Sequence, residues 1–177
     1  AQGTTAPTQG TAVETALPVI REHTDEIERI THIVDNEPAR KLLNTEAGPE
    51  LQSMVAELTR MIDFEKEQAA TAERKALVAN MADARASAAN TLAGLRDYVG
   101  TGSADRRADF ERFWSISSKA YAKLQETSDL LLGIQKDSFK TLSESRRAFE
   151  PSLPRIIAIR ESPGWNVATS ITVTKVL

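Results

Sequence analysis

The sequence predicts an all-α fold: an elongated antiparallel bundle of the four-helix type built on two very long helices, with stacked helical modules as its variant. Three observations predict it. Apolar residues recur at three- and four-residue steps from Pro49 to Gly100 and again from Ala104 to Glu150, and no proline falls between Pro49 and Pro151. The 8 glycines and 7 prolines are few and clustered, which favours long helices over many short elements. Aromatic residues are 5% of the chain against 41% hydrophobic residues, so the core is largely Ala, Leu, Ile, Val and Met, side chains that suit close helix contact. At 177 residues the chain can bury a sizeable core.

Residues 1–12, rich in Thr, Gln, Gly and Ala, hold too little apolar surface to order themselves and read as a flexible lead-in to a single elongated helical domain over 13–177. Val13, Leu17, Ile20, Ile27, Ile30 and Val34 keep helical spacing, with Thr24 in the gap, and predict a first helix to about Asp35. Pro38 suits a first helical turn, and Leu42 and Leu43 carry that turn to a predicted break at Ala47-Gly48-Pro49.

The first long helix follows, with Leu51, Met54, Val55, Leu58, Met61, Ile62, Ala69, Ala72, Ala76, Met81, Ala88, Leu92, Leu95 and Val99 along one face. At a rise of ~1.5 Å per residue it would extend about 75 Å. Gly100-Thr101-Gly102-Ser103 supplies a C-cap and the hairpin tip, and Ser103 or Asp105 can cap the next helix. From Ala104 to Glu150 a heptad seam reads Phe110, Trp114, Ser117, Tyr121, Leu124, Ser128, Leu131, Gln135, Ser138, Leu142, Ser145 and Phe149. Ser and Gln in such a seam mark register devices, buried water or a ligand site. Pro151 and Pro154 interrupt this helix. Leu153, Ile156, Ile157 and Ile159 restart it, and Pro163-Gly164 ends it before a β-branched tail, Val167 to Leu177.

Two such helices form a hairpin whose Ala88 to Leu124 portion has two helices where a closed bundle needs four. A homodimer that completes the bundle at its interface is the expected solution.

Composition excludes several functions. A net charge of −3 from 22 basic and 25 acidic residues leaves no polybasic footprint, so nucleic acid is not an expected partner. The absence of cysteine removes disulfides, thiolate metal sites and a Cys nucleophile. The longest apolar run, Ile156 to Ile159, falls far short of the ~20 residues of a membrane span. The N-terminus has neither a charged n-region nor an apolar h-region and no initiating Met, and reads as a processed or excised piece. His23 and His32 are nine residues apart, about 900° of helical rotation, and point to opposite faces. Gly100-Thr101-Gly102 lacks a preceding strand and a following Lys-Ser/Thr, so it is a plain turn. The carboxylate pairs Asp25/Glu26 and Glu65/Glu67 lie in charged faces, and no Gly-x-Ser-x-Gly occurs. The expectation is a protein that is not an enzyme, with no cofactor and no metal.

Four residues are candidate ligand contacts. Arg85 lies in the alanine-rich stretch Met81 to Ser87, and Arg96 follows eleven residues later near the same face. Arg112 and Tyr121 can face them from the returning helix. Guanidinium groups between helices, beside small residues and an aromatic ring, offer bidentate donors to a carboxylate in a partly dry crevice. The competing reading makes each a surface arginine paired with a neighbouring acid such as Asp83 or Asp97.

The run Glu73-Arg74-Lys75-Ala76-Leu77, Met81 to Ser87 and Leu92 to Gly102 resembles the extracytoplasmic sensor region of bacterial methyl-accepting chemotaxis receptors. Arg147 to Pro151, with Ile156 to Ala168, resembles the membrane-proximal part of the same receptors. Together the resemblance covers about Glu65 to Ala168. It implies a periplasmic, ligand-binding helical bundle that signals as a homodimer and is anchored in the membrane through segments outside this chain. It implies a small anionic ligand, an organic acid or amino acid, with Arg85 the first position carried over. The tail from Thr169 and the first forty residues depart from the pattern. The alternative is a structural or adaptor rod that binds partner helices and no small molecule.

Overall fold

The computed structural model describes residues 9–31 and 34–171. Residues 1–8 of the expected lead-in, His32 and residues 172–177 of the expected tail lie outside the described residues. Among the described residues every regular element is helical, so the all-α expectation stands. Contacts sort the chain into two compact units, one of Ala1–Pro38 with Ser162–Leu177 and one of Ala39–Glu161.

The first unit holds α1, Gln9–Thr31, and α8, Val167–Ile171. Helix α1 begins four residues before Val13 and stops short of Asp35. Ile27 and Ile30 of its apolar stripe turn inward, whereas Leu17 and Ile20 are exposed. Val167 to Ile171 is helical despite its β-branched residues, and two asparagine side chains satisfy N–H groups of its first turn. Asn166 caps the helix by accepting the Thr169 N–H at 2.9 Å, and the buried Asn36 accepts the Ala168 N–H at 2.9 Å.

Helix α2, Pro38–Leu42, leads into the second unit and runs without interruption through one π-helical turn, Leu43–Ala47, into α3, Gly48–Glu65. The predicted break at Ala47-Gly48-Pro49 is therefore a bulge. Pro49 has no N–H to give the helical ladder, and a wider turn accommodates that loss without ending the helix. The Gly48 N–H bonds the Leu43 carbonyl, and a Cβ at Gly48 would stand 2.8 Å from that oxygen, so only glycine fits.

Neither very long helix exists as one rod. The first divides into α3 and α4, Ala72–Thr101, around a reversal at 66–71. The second divides into α5, Ala104–Glu126, and α6, Ile134–Phe149, around a turn at 127–133, with α7, Ser152–Glu161, beyond. Helix α3 packs against α4 and α6, and α4 packs against α5. Side chains join α5 to α6, where Trp114 meets Phe149 and Tyr121 stacks on Phe139. Each helix runs antiparallel to the next, and α6 returns to α3. The flank expected to stay open beside α4 and α5 is filled by α3 and α6 of the same chain.

The core follows the predicted stripes except where the chain turns. Leu51, Met54, Leu58, Met61, Met81, Ala88, Leu92, Leu95 and Val99 are buried, but Ala69, Ala72 and Ala76 are exposed and Leu77 takes their place inside. Every position of the second seam is buried or half-buried, Ser117, Gln135, Ser138 and Ser145 included. Small residues on α4 allow the close approach of α5: a Cβ at Gly94 would lie 3.0 Å from the Phe110 Cβ.

A buried polar cluster secures the two turns at 66–71 and 127–133. The Glu65 and Arg74 side chains, 5% and 13% exposed, pair across the reversal, with Arg74 Nε donating to Glu65 Oε2 at 2.9 Å and Nη2 bonding Oε1. Arg74 Nη1 reaches the Leu130 carbonyl at 3.0 Å in the other turn. The fully buried Gln135 donates to the Met61 carbonyl at 3.1 Å and to Glu65 Oε1 at 2.6 Å, and accepts the Leu132 N–H at 3.1 Å. With these partners the charges satisfy one another away from water, as burial requires. Thr71 caps α4 by accepting the Arg74 N–H at 3.3 Å. The Glu73 carboxyl is held below the usual carboxylate range by its own backbone N–H and by the Thr71 hydroxyl.

At the other end Gly102 closes α4 in the left-handed conformation, φ 67°, its N–H bonding the Tyr98 carbonyl at 2.7 Å. Ser103 holds the cap position of α5 without a side-chain cap bond. Arg160 of α7 donates to the Val99 carbonyl at 2.9 Å, satisfying one acceptor of the helix end.

Candidate functional site

The α5–α6 cleft gathers a desolvated cation, two aromatic faces and a small cavity. Trp114, Ser118 and Tyr121 lie one turn apart on α5, and Ser143 and Arg146 share a face of α6 with Glu150 at its C-cap. The Arg146 guanidinium carbon sits 4.3 Å from the Trp114 ring centroid and 4.9 Å from that of Tyr121. Both rings are held in turn: Trp114 meets Phe149 edge-on at 4.8 Å between centroids, and Tyr121 stacks on Phe139 at 5.6 Å. The Tyr121 hydroxyl bonds the Ser143 hydroxyl at 2.9 Å, and Ser143 Oγ donates to the Phe139 carbonyl at 2.7 Å.

Arg146 is only 13% exposed, and its donors are unevenly used. Nη2 donates to Ser118 Oγ at 2.9 Å and pairs with Glu150 Oε1 at 2.9 Å. Nη1 is buried and has no hydrogen-bond acceptor among the described residues. A buried cationic donor without an acceptor costs more than the 1–3 kcal/mol typical of a neutral group, roughly. Two cation–π contacts offset part of that cost. Beside it lies a cavity of ≈ 200 Å³ lined by Tyr121, Ser143, Arg146, Arg147 and Glu150. Two guanidinium groups against one carboxylate favour an anion of a few atoms.

The four predicted contacts do not share one site. Tyr121 lines this cleft, and Arg96 lines two other hollows. One, of ≈ 360 Å³, is formed with Arg40, Leu43, Asn44 and Val99; the other, an apolar groove of ≈ 290 Å³, lies between α3 and α4. Arg85 is half-buried on α4 and lines none of these three. Arg112 is a surface residue that pairs with Asp109 at 3.4 Å and covers the Phe113 ring at 4.4 Å.

The residue that sequence reasoning passed over is Arg146. Its signal was available: it follows the seam residue Ser145, and Glu150 stands four residues on. What the seam could not supply is that Trp114 and Tyr121 would close over its side chain. Among the described residues no group of three or more His, Asp and Glu is arranged to hold a metal ion, and no helix is long and apolar enough to cross a membrane.

No protein-family model, no curated protein and no solved structure matches the chain.

Proposed function

We propose that the chain is a non-enzymatic ligand-sensing domain, the extracytoplasmic part of a transmembrane chemoreceptor, and that its Ala39–Glu161 unit is an up-down-up-down four-helix bundle that takes a small organic acid or amino acid at the α5–α6 cleft. The observation that supports it is Arg146, a guanidinium buried between two rings with Nη1 lacking an acceptor. A turn of the Arg146 side chain toward the cavity would bring Nη1 to a carboxylate oxygen there, a charge-assisted bond stronger than a neutral one. Arg146 and Tyr121 are the first contacts. An occupant would bias the packing of α6 against α5, and α6 leads through Glu150 and Pro151 into α7, so the displacement leaves the bundle along a short path.

The test is thermal unfolding against a panel of organic acids and amino acids, followed by calorimetry on any acid that shifts the midpoint. A ligand at 100 times its Kd adds ~2.7 kcal/mol to stability. Arg146→Gln is expected to abolish the shift, and Arg146→Lys, which keeps the charge but loses the planar fork, to weaken binding at least tenfold, about 1.4 kcal/mol. Unchanged affinity in Arg146→Gln assigns the ligand elsewhere.

One observation favours the adaptor reading. Leu17, Val19 and Ile20 of α1 are 45–50% exposed, a small apolar patch of the kind partner helices cover. No shift from any acid, with capture of an amphipathic helix abolished by Leu17→Ser and Ile20→Ser, replaces the sensor with the adaptor.

A further inference from the structure

Three reversals close the bundle, and one of them differs from the other two. The α4–α5 turn uses Gly102 at φ 67° and the α5–α6 turn uses Gly133 at φ 44°, conformations that no continuous right-handed helix can contain. The α3–α4 reversal at 66–71 holds neither glycine nor proline, and all its residues keep negative φ. Lys66, Glu67, Gln68, Ala69 and Ala70 are among the best helix formers. The apolar stripe resumes in register beyond the reversal, Ala69 standing one heptad after Ile62, which is why the stretch reads as helix.

We propose that the bundle exchanges α3, together with the α2 helix and π-helical turn that run into it, with a second copy of this chain. Residues 66–71 straighten, α3 and α4 become one continuous helix, and the α3 of each copy fills the place vacated in the other. This inference does not depend on the Arg146 site.

The contacts permit the exchange at little cost. In the closed form the turn is held by short-range bonds: Lys66 N–H to the Asp63 carbonyl at 3.2 Å, Glu67 to Phe64 at 3.4 Å and Gln68 to Glu65 at 3.1 Å. Straightening replaces these with the ordinary bonds of an α-helix. Glu67, Ala69, Ala70 and Thr71 are exposed, and a hollow of ≈ 290 Å³ lies beside the turn, so little packing resists its opening. What holds α3 in place lies on other helices: Arg74 and Gln135 grip Glu65, and Ser145 Oγ donates to Ser53 Oγ at 2.8 Å. All of these re-form when the α3 comes from a second copy. The geometry closes as well. Helix α3 is antiparallel to α4 and joined at one end of the bundle, so a straightened α3 leaves that end in the direction it must run in a bundle placed end to end about a two-fold axis.

The chain has no cysteine, so Ser53→Cys with Ser145→Cys reports which copy supplies α3. The variant is refolded at low and at high protein concentration, oxidised and run on a denaturing gel without reductant. Expected is an intrachain bridge at low concentration and a covalent dimer that grows at high concentration. Deleting residues 67–70, which leaves too little chain to reverse, is expected to make the dimer dominant. Gln68→Gly with Ala69→Gly, which disfavours the continuous helix, is expected to suppress it. Only intrachain bridges at every concentration, or a dimer by light scattering that carries only intrachain bridges, overturns the proposal. If the cysteine pair fails to bridge, light scattering on the unsubstituted chain decides. Monomer alone after refolding at high concentration, or a dimer untouched by the glycine pair, overturns the proposal equally.

Discussion

Breaking the Glu65–Arg74 pair tests whether this buried cluster is what folds each predicted rod in half. In Glu65→Met the Arg74 guanidinium, 13% exposed, loses both bonds to the carboxylate, and Gln135 keeps only the Met61 carbonyl as acceptor for its amide. In Arg74→Met a carboxylate 5% exposed loses its cation, and the Leu130 carbonyl loses its donor. Removing one member of a buried pair costs about 3–5 kcal/mol, because the survivor is left charged and dry. For a chain of this size each kcal/mol lowers the midpoint by ~2–4 °C, so each single substitution is expected to lower it by roughly 6–20 °C. The double substitution removes both charges together and puts apolar volume in their place, so its loss is expected to fall short of the summed single losses by at least ~2 kcal/mol. Urea unfolding followed by helical circular dichroism, at a concentration where the chain is monomeric, measures all four corners of this cycle. Single losses below ~1 kcal/mol that simply add would make the pair equivalent to a solvated surface bridge and refute the reasoning.

Two further predictions concern the opposite end of the Ala39–Glu161 unit. Gly94→Ala gains ~1 kcal/mol of helix propensity, but its Cβ meets the Phe110 Cβ at 3.0 Å and Cα at 3.2 Å. Backbone cannot swing aside as a side-chain tip does, and overpacking of ~1–3 kcal/mol outweighs the gain, so a net loss is expected in the same urea assay; a more stable variant contradicts the close α4–α5 approach. Burial pushes the Tyr98 phenol above its ordinary value, and the neighbouring Glu161 carboxylate adds to that. The native state therefore holds the phenol proton more tightly than the unfolded chain. The stability this provides is full below about pH 10 and is lost as pH rises through the native value. Tyr98→Phe is expected to flatten the alkaline limb of the stability profile, and equal alkaline losses in both proteins would remove Tyr98 as its cause.

Much of this architecture was legible in the sequence. Met54, Leu58, Leu92 and Leu95 are buried as their spacing predicts, and so are the polar seam positions Ser117, Gln135 and Ser138. Gly102 sits at the left-handed helix end that its place after the stripe requires. The turn at Gly133 had a local signal too, Thr127-Ser128-Asp129 followed by a glycine, which Leu130 to Leu132 masked by extending the apolar pattern. The reversal at 66–71 had almost none, with Thr71 as a helix cap its sole mark. The placement of the arginines escaped the sequence for a related reason. Arg85, Arg96 and Arg112 were selected by the small or charged company they keep in sequence, whereas Arg146 is desolvated by rings 25 and 32 positions away, at Tyr121 and Trp114.

The sequence by itself determined that the chain is helical, which faces are apolar, and where glycine permits a turn, because periodicity, propensity and backbone sterics act over a few neighbouring residues. Only the tertiary structure decided that residues 66–71 turn back instead of continuing, that α3 and α6 close over α4 and α5, and which guanidinium is taken out of water. Those outcomes depend on sums over distant partners. A stretch such as Lys66 to Ala70 is content as helix or as turn, and the burial of Leu77, Glu65, Arg74 and Gln135 together tips the balance.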